Sequence, residues 1–486
     1  MRQTGKWIAW TALAVMISHP AVAGETGTVT NPVIVERRNV LLIIGDDMGV
    51  SQFSRYVDYY NDPTSARTDD DMAGVDPPET PTIDTLASNG VTFMNAWSSP
   101  LCSATRAGIY TGLYGVHNHI TGALESDDEG LVPSSSITIA GVLKNVSYQS
   151  GLFGKWHVGK HSPYDHGWRM FKGIMTGALE DSYYTWTKTV DGIESGSSPS
   201  GAALLRLSGE VEYTGADAGY ATFVNVDDAL AWIGGRTGRW MATVAFNAAH
   251  TAGGHEDPHL EEPPSDCEAS GATEQAEIYK DIIACMDQQI GRLLSSMNQS
   301  TLANTTVIFV GDNGPRPQDA EFSRFTTDAK ATVYEGGVAV PLIIADGANL
   351  AGTTSLSTAP GRVRFVNRRS SALVQTVDLF KTIATIAGAS SSGSDSYSLI
   401  PILEATSSSA RTYSFTESEN DEQVAIRDAN YKLISFSDGS CELYKLSEDR
   451  WEYNELLGGG STAYTSSVSN LLSQIKTMSG LTRTCS

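Results

Sequence analysis

The sequence predicts an α/β fold, a large and mostly parallel sheet flanked by helices, followed by a smaller C-terminal antiparallel α+β subdomain. Three observations carry this. Val40 to Ile44 (VLLII) and Thr306 to Val310 (TVIFV) are strand-length runs with no polar face, as fully buried strands have. Amphipathic stretches of helical period alternate with such runs over most of the chain. Near the end, Ala425 to Phe436 and Cys441 to Leu446 read instead as strands of a small antiparallel unit.

The elements follow in chain order. Arg2 and Lys6 precede a short apolar run, Trp7 to Ile17, and the small-residue site Ala21-Val22-Ala23. This is the pattern of an export signal, and the run is too short to span a bilayer, which takes about 20 residues. Residues 1–23 are therefore expected to be a signal peptide, and the mature product to be periplasmic or secreted. No later segment has the length and apolarity of a membrane span. Residues 24–397 are expected to form the large α/β domain, and residues 398–486 the C-terminal subdomain.

Met241 to Phe246 reads as a further strand. Tyr279 to Leu294 places Ile282, Ile283, Met286, Ile290 and Leu294 on one helical face, and Ser371 to Ala389 repeats the pattern with Leu373, Val377, Phe380 and Ile383. Both are read as packing helices without chemistry. Asn61 to Pro78, Ser195 to Ala203 and Ser390 to Ser396 are polar or rich in Ser and Gly and read as loops, the last as a linker.

The 486 residues are 41% hydrophobic and 18% charged, a globular composition. A net charge of −23 argues against nucleic acid as the main partner, which needs clustered Lys and Arg. It leaves anionic small molecules open, because a cleft can be locally positive. Five cysteines is an odd count for an oxidising compartment. Sequence proximity suggests Cys267–Cys285 and Cys441–Cys485 as disulfides, one of three possible connectivities, and leaves Cys102 over.

Four segments place polar groups beyond buried strands, where open α/β sheets bind ligands. VLLIIGDDMG carries Asp46 and Asp47, and TVIFVGDNG carries Asp312 and Asn313. An Asp after a strand commonly just caps a turn. Two such ends in one sheet, however, would supply the hard oxygen ligands preferred by Ca²⁺ or Mg²⁺. In SSPLCSATRAGIYTG, Ser103 to Tyr110 can form a helix with Cys102 near its start, an end suited to an anion. Arg106, four residues on, shares that helical face. A lone Cys there could equally be a buried hydrophobe, or a thiolate activated by Arg106. In GLFGKWHVG, Lys155 and His157 project to one side of an extended segment and Trp156 to the other. His250 follows the Met241 to Phe246 run, and Lys330 precedes Tyr334-Glu335-Gly336-Gly337.

Together these segments resemble the sulfatase family, which has an alkaline phosphatase-like fold. The family's modification motif, Cys-x-Pro-Ser-Arg and then Thr-Gly, stands here as Cys102-Ser103-Ala104-Thr105-Arg106 and Thr111-Gly112. Gly154-Lys155-Trp156-His157 is similar to its second signature. Lys330 before Glu335-Gly336-Gly337 and Val340-Pro341 is similar to another, and Tyr431 to Glu452 to its C-terminal subdomain. The resemblance spans residues 38–457, with the motifs in the family's order.

It implies a sulfuric ester hydrolase acting on an aryl or carbohydrate sulfate. Cys102 would be oxidised to formylglycine by a maturation enzyme, and one hydroxyl of its hydrate would attack sulfur. Loss of the second hydroxyl's proton would then release sulfate. The implied metal is a single calcium ion, on Asp46, Asp47, Asp312, Asn313 and residue 102. Arg106 would steady the hydrate, Lys155 and Lys330 would hold sulfate oxygens, and His157 would be the base. His250, with Lys330, would protonate the leaving oxygen. Ala104 departs from the motif's usual Pro, which leaves open the maturation system, and Ala339 replaces an Arg often found there. A phosphonate monoester or phosphodiester hydrolase of the same superfamily is the alternative, and a silent binder of sulfated glycans or a thiol hydrolase is weaker. Tyr183, Tyr184, His166, Trp168, His117 and His119 could line the substrate pocket, although each could equally be ordinary packing.

Overall fold

The computed structural model describes residues 37–61, 72, 74–198, 201–254, 257–267, 269–353, 362–364, 366–391, 395–458 and 462–485. The expected signal peptide and most of the 61–78 loop lie outside these residues. The main sheet has ten strands: β1 (Asn39–Gly45), β2 (Gly90–Trp97), β3 (Gln149–Lys155), β4 (Met170–Ile174), β5 (Thr185–Ser198), β6 (Gly201–Thr214), β7 (Trp240–Ala245), β8 (Thr305–Gly311), β9 (Leu342–Asp346) and β10 (Arg368–Gln375). Their order is β10-β2-β9-β8-β1-β7-β3-β4-β5-β6. From β10 to β4 the strands run parallel except β9, which lies antiparallel between β2 and β8.

The buried runs sit where their composition requires. Alternate residues of β1 feed opposite core layers, Leu41 and Ile43 into one and Val40, Leu42 and Ile44 into the other. A strand that packs on both faces can have no polar side. The helix Gln275–Ser296 closes the first layer with Ile282, Ile283, Met286 and Ile290, the face read from the sequence. Asp378–Ile386 closes the second with Phe380 and Ile383.

Two sequence expectations are corrected. Ser371 to Ala389 is not one helix: its first part belongs to β10, paired parallel to β2, and helix begins only at Asp378. Leu373 and Val377 keep a spacing of four across the strand end, which imitates a helical period. Ser195 to Ala203 is not simply a loop either, because β5 and β6 continue their pairing to Ser198 and Gly201. Backbone pairing there needs no apolar side chains.

A second sheet, β11 (Ser414–Glu417), β12 (Gln423–Arg427), β13 (Lys432–Phe436) and β14 (Cys441–Tyr444), is antiparallel throughout, as the sequence suggested. Buried ions tie it to the main sheet. Glu335 accepts from Trp97 Nε1 at 2.9 Å and pairs with Lys432 at 3.3 Å and Arg450 at 3.0 Å. Arg411 Nε bonds Asp378 at 3.0 Å. Both suggested disulfides, Cys267–Cys285 and Cys441–Cys485, are present, and Cys102 is free and buried. Among the described residues no helix is long and apolar enough to cross a membrane.

Candidate active site

The site is built where five strands end. Gly45 and Gly311 face each other as the last residues of β1 and β8, so Asp46-Asp47 and Asp312-Asn313 leave the sheet side by side. β2 ends at Trp97, and after four intervening residues the helix Cys102–Thr111 opens with Cys102 itself. β3 ends on Lys155. It lies close against β7 because Gly154 has φ +107°, and a Cβ there would fall 1.9 Å from the Ala245 carbonyl oxygen. The chain beyond β7 is locked to β1, with Ala249 N donating to the Asp46 carbonyl at 2.8 Å, and this brings in His250. Lys330 comes from a loop pinned by Lys330 N to Pro315 O and Ala331 N to Pro100 O, each 3.0 Å.

Ligand-type atoms of Asp46, Cys102 and Asp312 lie within 4.8 Å of one another, all buried. Arg106 donates from Nε and Nη2 to the same Asp312 oxygen, at 3.0 and 2.9 Å, and approaches Asp46 at 3.4 Å. Lys155 Nζ is 2.5 Å from Asp46 Oδ2, and Lys330 Nζ is 2.6 Å from Asp47 Oδ1. Asn313 Nδ2 donates to Asp47 Oδ1 at 2.7 Å. Two buried oxygens in this cluster, Asp46 Oδ1 and Asn313 Oδ1, accept no hydrogen bond. A buried polar atom without a partner is costly, and a hard cation is a partner that would satisfy orphan oxygens at these two strand ends. The residues present therefore fit a divalent metal.

The charges are finely opposed. Burial pushes the Asp312 carboxyl well above its ordinary range, with Asp46 adding to the push and Arg106 opposing it. Burial would raise Asp46 too, but Lys155 and Arg106 hold it below the ordinary range. His157 is driven well below 6.5 by burial, then by Lys155 and Arg106, so its ring is neutral at neutral pH. His250 falls to about 3, from burial, Lys330 and Lys155. His157 Nε2 faces the Leu124 carbonyl at 2.9 Å, and a carbonyl only accepts, so that nitrogen carries the proton. Nδ1 is then an acceptor, 3.2 Å from Cys102 Sγ. Asp47 and His157 both have φ +55°, a left-handed backbone that non-glycine residues adopt at some cost.

The structure thus gathers Asp46, Asp47, Cys102, Arg106, Lys155, His157, Asp312, Asn313 and Lys330. His250 stands at the edge, its Nε2 3.9 Å from Asp47. Of the suggested pocket-lining residues, Trp168, His166 and Tyr183 are corrected by their burial. Trp168 and His166 pack with Trp156 and Tyr110 inside the core, and His117 pairs with Asp395 at 2.7 Å. Tyr183 is fully buried, its hydroxyl donating towards the Asn247 and His250 carbonyls, so it braces the His250 loop. Tyr184 bonds the Glu262 carbonyl, and His119 is an exposed helix cap. The helix read as pure packing also supplies Tyr279, whose hydroxyl donates to the Asp47 carbonyl at 2.6 Å. Nothing in the local sequence distinguishes that tyrosine from its apolar neighbours.

Comparison with known proteins finds sulfatases similar to this chain over most of its length. Arylsulfatase G of Canis lupus familiaris is 27% identical over 379 residues, 73% of this chain, and the chain spans 65% of that relative's length. N-acetylgalactosamine-6-O-sulfatase of Bacteroides thetaiotaomicron is 24% identical over 91% of this chain and 94% of its own. The crystal structure of Ps i-CgsB in complex with k-i-k-neocarrahexaose shares the fold, with a TM-score of 0.68, 20% identity and coverage of 91% and 93%. The sulfatase family model matches residues 38–389, from the start of β1 to just past the Asp378–Ile386 helix, and the chain belongs to the sulfatase family.

Proposed function

We propose that this protein hydrolyses sulfate monoesters, aryl or carbohydrate, with formylglycine at position 102 and one calcium ion on Asp46, Asp47, Asp312, Asn313 and residue 102. The carrying observation is the pair of orphaned buried oxygens, Asp46 Oδ1 and Asn313 Oδ1, in the cluster where Asp46 and Asp312 approach Cys102 at a helix start. The Cys102 sulfur stands in for the hydroxyl oxygens of the modified residue. When bound, calcium polarises sulfuryl oxygens, and the formylglycine hydrate supplies a nucleophilic hydroxyl.

The chain's own residues do the rest. His157 offers an unprotonated Nδ1 at 3.2 Å from the residue 102 side chain, the position from which to take a hydroxyl proton. Arg106 fixes the orientation of Asp312 through two bonds to one oxygen. Lys155 and Lys330, now engaged by Asp46 and Asp47, carry the positive charge that sulfate oxygens would meet. His250 is neutral in the free site, so its role as acid requires proton uptake along with the anionic substrate.

The relatives' names, an arylsulfatase and an N-acetylgalactosamine-6-O-sulfatase, support both aryl and saccharide sulfates. Export, with cleavage after Ala23 and modification by a maturation enzyme that accepts Ala104, is part of the same proposal, and the two disulfides favour an oxidising compartment. The test is release of sulfate and of phosphate from matched aryl and sugar monoesters, and cleavage of a phosphonate monoester. Faster sulfate release supports the proposal, and preferential cleavage of phosphorus esters would replace it with the alternative.

A further inference from the structure

Between Asp346 and Asp378 the chain carries four arginines, Arg362, Arg364, Arg368 and Arg369, and not one carboxylate. In a protein of net charge −23 such a stretch stands out, and the fold gives it a shape. Arg368 and Arg369 open the edge strand β10 and, with Ser370, Ser371, Thr406, Ser407 and Ser408, line a surface pocket of about 380 Å³. Apart from Ile402 and Ala405 the lining is guanidinium and hydroxyl, with no acidic side chain.

The donors exceed the acceptors. Arg368 reaches the Ile402 carbonyl through Nη2, yet its Nε is buried and has no acceptor. Arg55, alongside, donates to Asn367 Oδ1 at 2.6 Å and also has a buried Nε without one. Arg369 is exposed and lies over the Tyr59 ring at 5.3 Å, close enough to Arg55 for the two charges to repel. Among the described residues no carboxylate forms an ion pair with Arg55, Arg368 or Arg369. The Arg368 and Arg369 guanidiniums, set among serine and threonine hydroxyls with no carboxylate paired to them among the described residues, are complementary to a tetrahedral oxyanion.

The pocket is remote from the catalytic centre. Gln375, at the other end of β10, pairs with Trp97 just before Cys102, whereas Arg368 pairs with Val91 at the start of β2. Seven residue rises separate the two ends, about 23 Å.

We propose that this pocket binds a sulfate ester group on a polyanionic saccharide and docks the polymer while another of its sulfates occupies the active site. The proposal rests on the sulfated-saccharide reading of the active site. A single sulfated sugar cannot bridge the two sites, so the pocket contributes only with long substrates.

The test compares the full chain with Arg369→Glu, an exposed position, and with Arg368→Lys, which keeps the charge but loses the fork. Binding of dextran sulfate is measured by titration, followed by competition with inorganic sulfate and phosphate. Turnover of an aryl sulfate and of a sulfated polysaccharide is measured alongside. Arg369→Glu is expected to weaken dextran sulfate binding about tenfold or more and to raise KM on the polymer while leaving aryl sulfate turnover unchanged. Unchanged polymer binding in both variants would overturn the proposal. Equal affinity for free sulfate or phosphate would also overturn it, as a free-anion site. If the parent protein hydrolyses no sulfate ester, the functional reading fails, whereas the binding measurement still decides the pocket.

Discussion

Arg106→Met is expected to be among the most damaging single changes available. Arg106 and both its acidic partners, Asp312 and Asp46, are fully buried, and a third bond runs from Nη1 to the Lys155 carbonyl at 2.9 Å. Removing one partner of a buried pair leaves an uncompensated charge, at a cost of about 3–5 kcal/mol. The stranded Lys155 carbonyl adds about 1 kcal/mol. Against a total stability of about 5–15 kcal/mol, this is a large fraction. The assay is denaturant unfolding of parent and variant with calcium chelated, read by two probes to check that the transition is cooperative. Calcium in excess should then narrow the difference, because a cation bound only by the folded form offsets the same carboxylates. Arg106→Lys should cost less than Met, since it keeps a charge without the fork. A loss below about 1 kcal/mol in the chelated state, or a gap that widens with calcium, would refute the reasoning.

Three further expectations follow from other parts of the molecule. Lys330→Ala removes a cation 2.6 Å from Asp47 and should lower kcat/KM for sulfate esters about 10²–10³-fold without loss of fold, which steady-state kinetics and circular dichroism would check. Glu417 is buried, accepts from Val116 N at 2.9 Å, and has its carboxyl pushed up to about 8, chiefly by burial. A raised folded pKa means stability present below about 4.5 and lost as pH rises through about 8, so Glu417→Gln should gain on the parent between those values in thermal melts. Opening Cys441–Cys485 by double Ser substitution frees a 44-residue span and should lower stability by up to about 4 kcal/mol, measured by unfolding under non-reducing conditions.

What the sequence showed and what it hid divide along physical lines. β1 and β8 were legible because a strand buried on both faces must be apolar at every position, and Gly-Asp pairs at their ends marked the ligand side of the sheet. Cys102 and Arg106 were legible because a helix start and a spacing of four are local. The failures were non-local or mimetic. Leu373 and Val377 matched a helical period although β2 pairing makes the first of them part of a strand. Gly and Ser at 195–203 suggested a loop where two strands continue by backbone pairing. The ion network of Glu335, Lys432, Arg450 and Glu452 joins residues about a hundred positions apart, and no local pattern announces it. Tyr183 and Tyr279 act through their hydroxyls on carbonyls far along the chain, so they looked like lining or packing.

The proposed chemistry stands or falls on residue 102. The most direct measurement is peptide mass spectrometry across Cys102, on protein produced together with a maturation enzyme and shown to release sulfate from an aryl sulfate. Replacement of the thiol by an aldehyde oxygen, with sulfate release tracking the modified fraction, is the predicted result. A cysteine that remains unmodified in fully active protein would contradict the formylglycine mechanism.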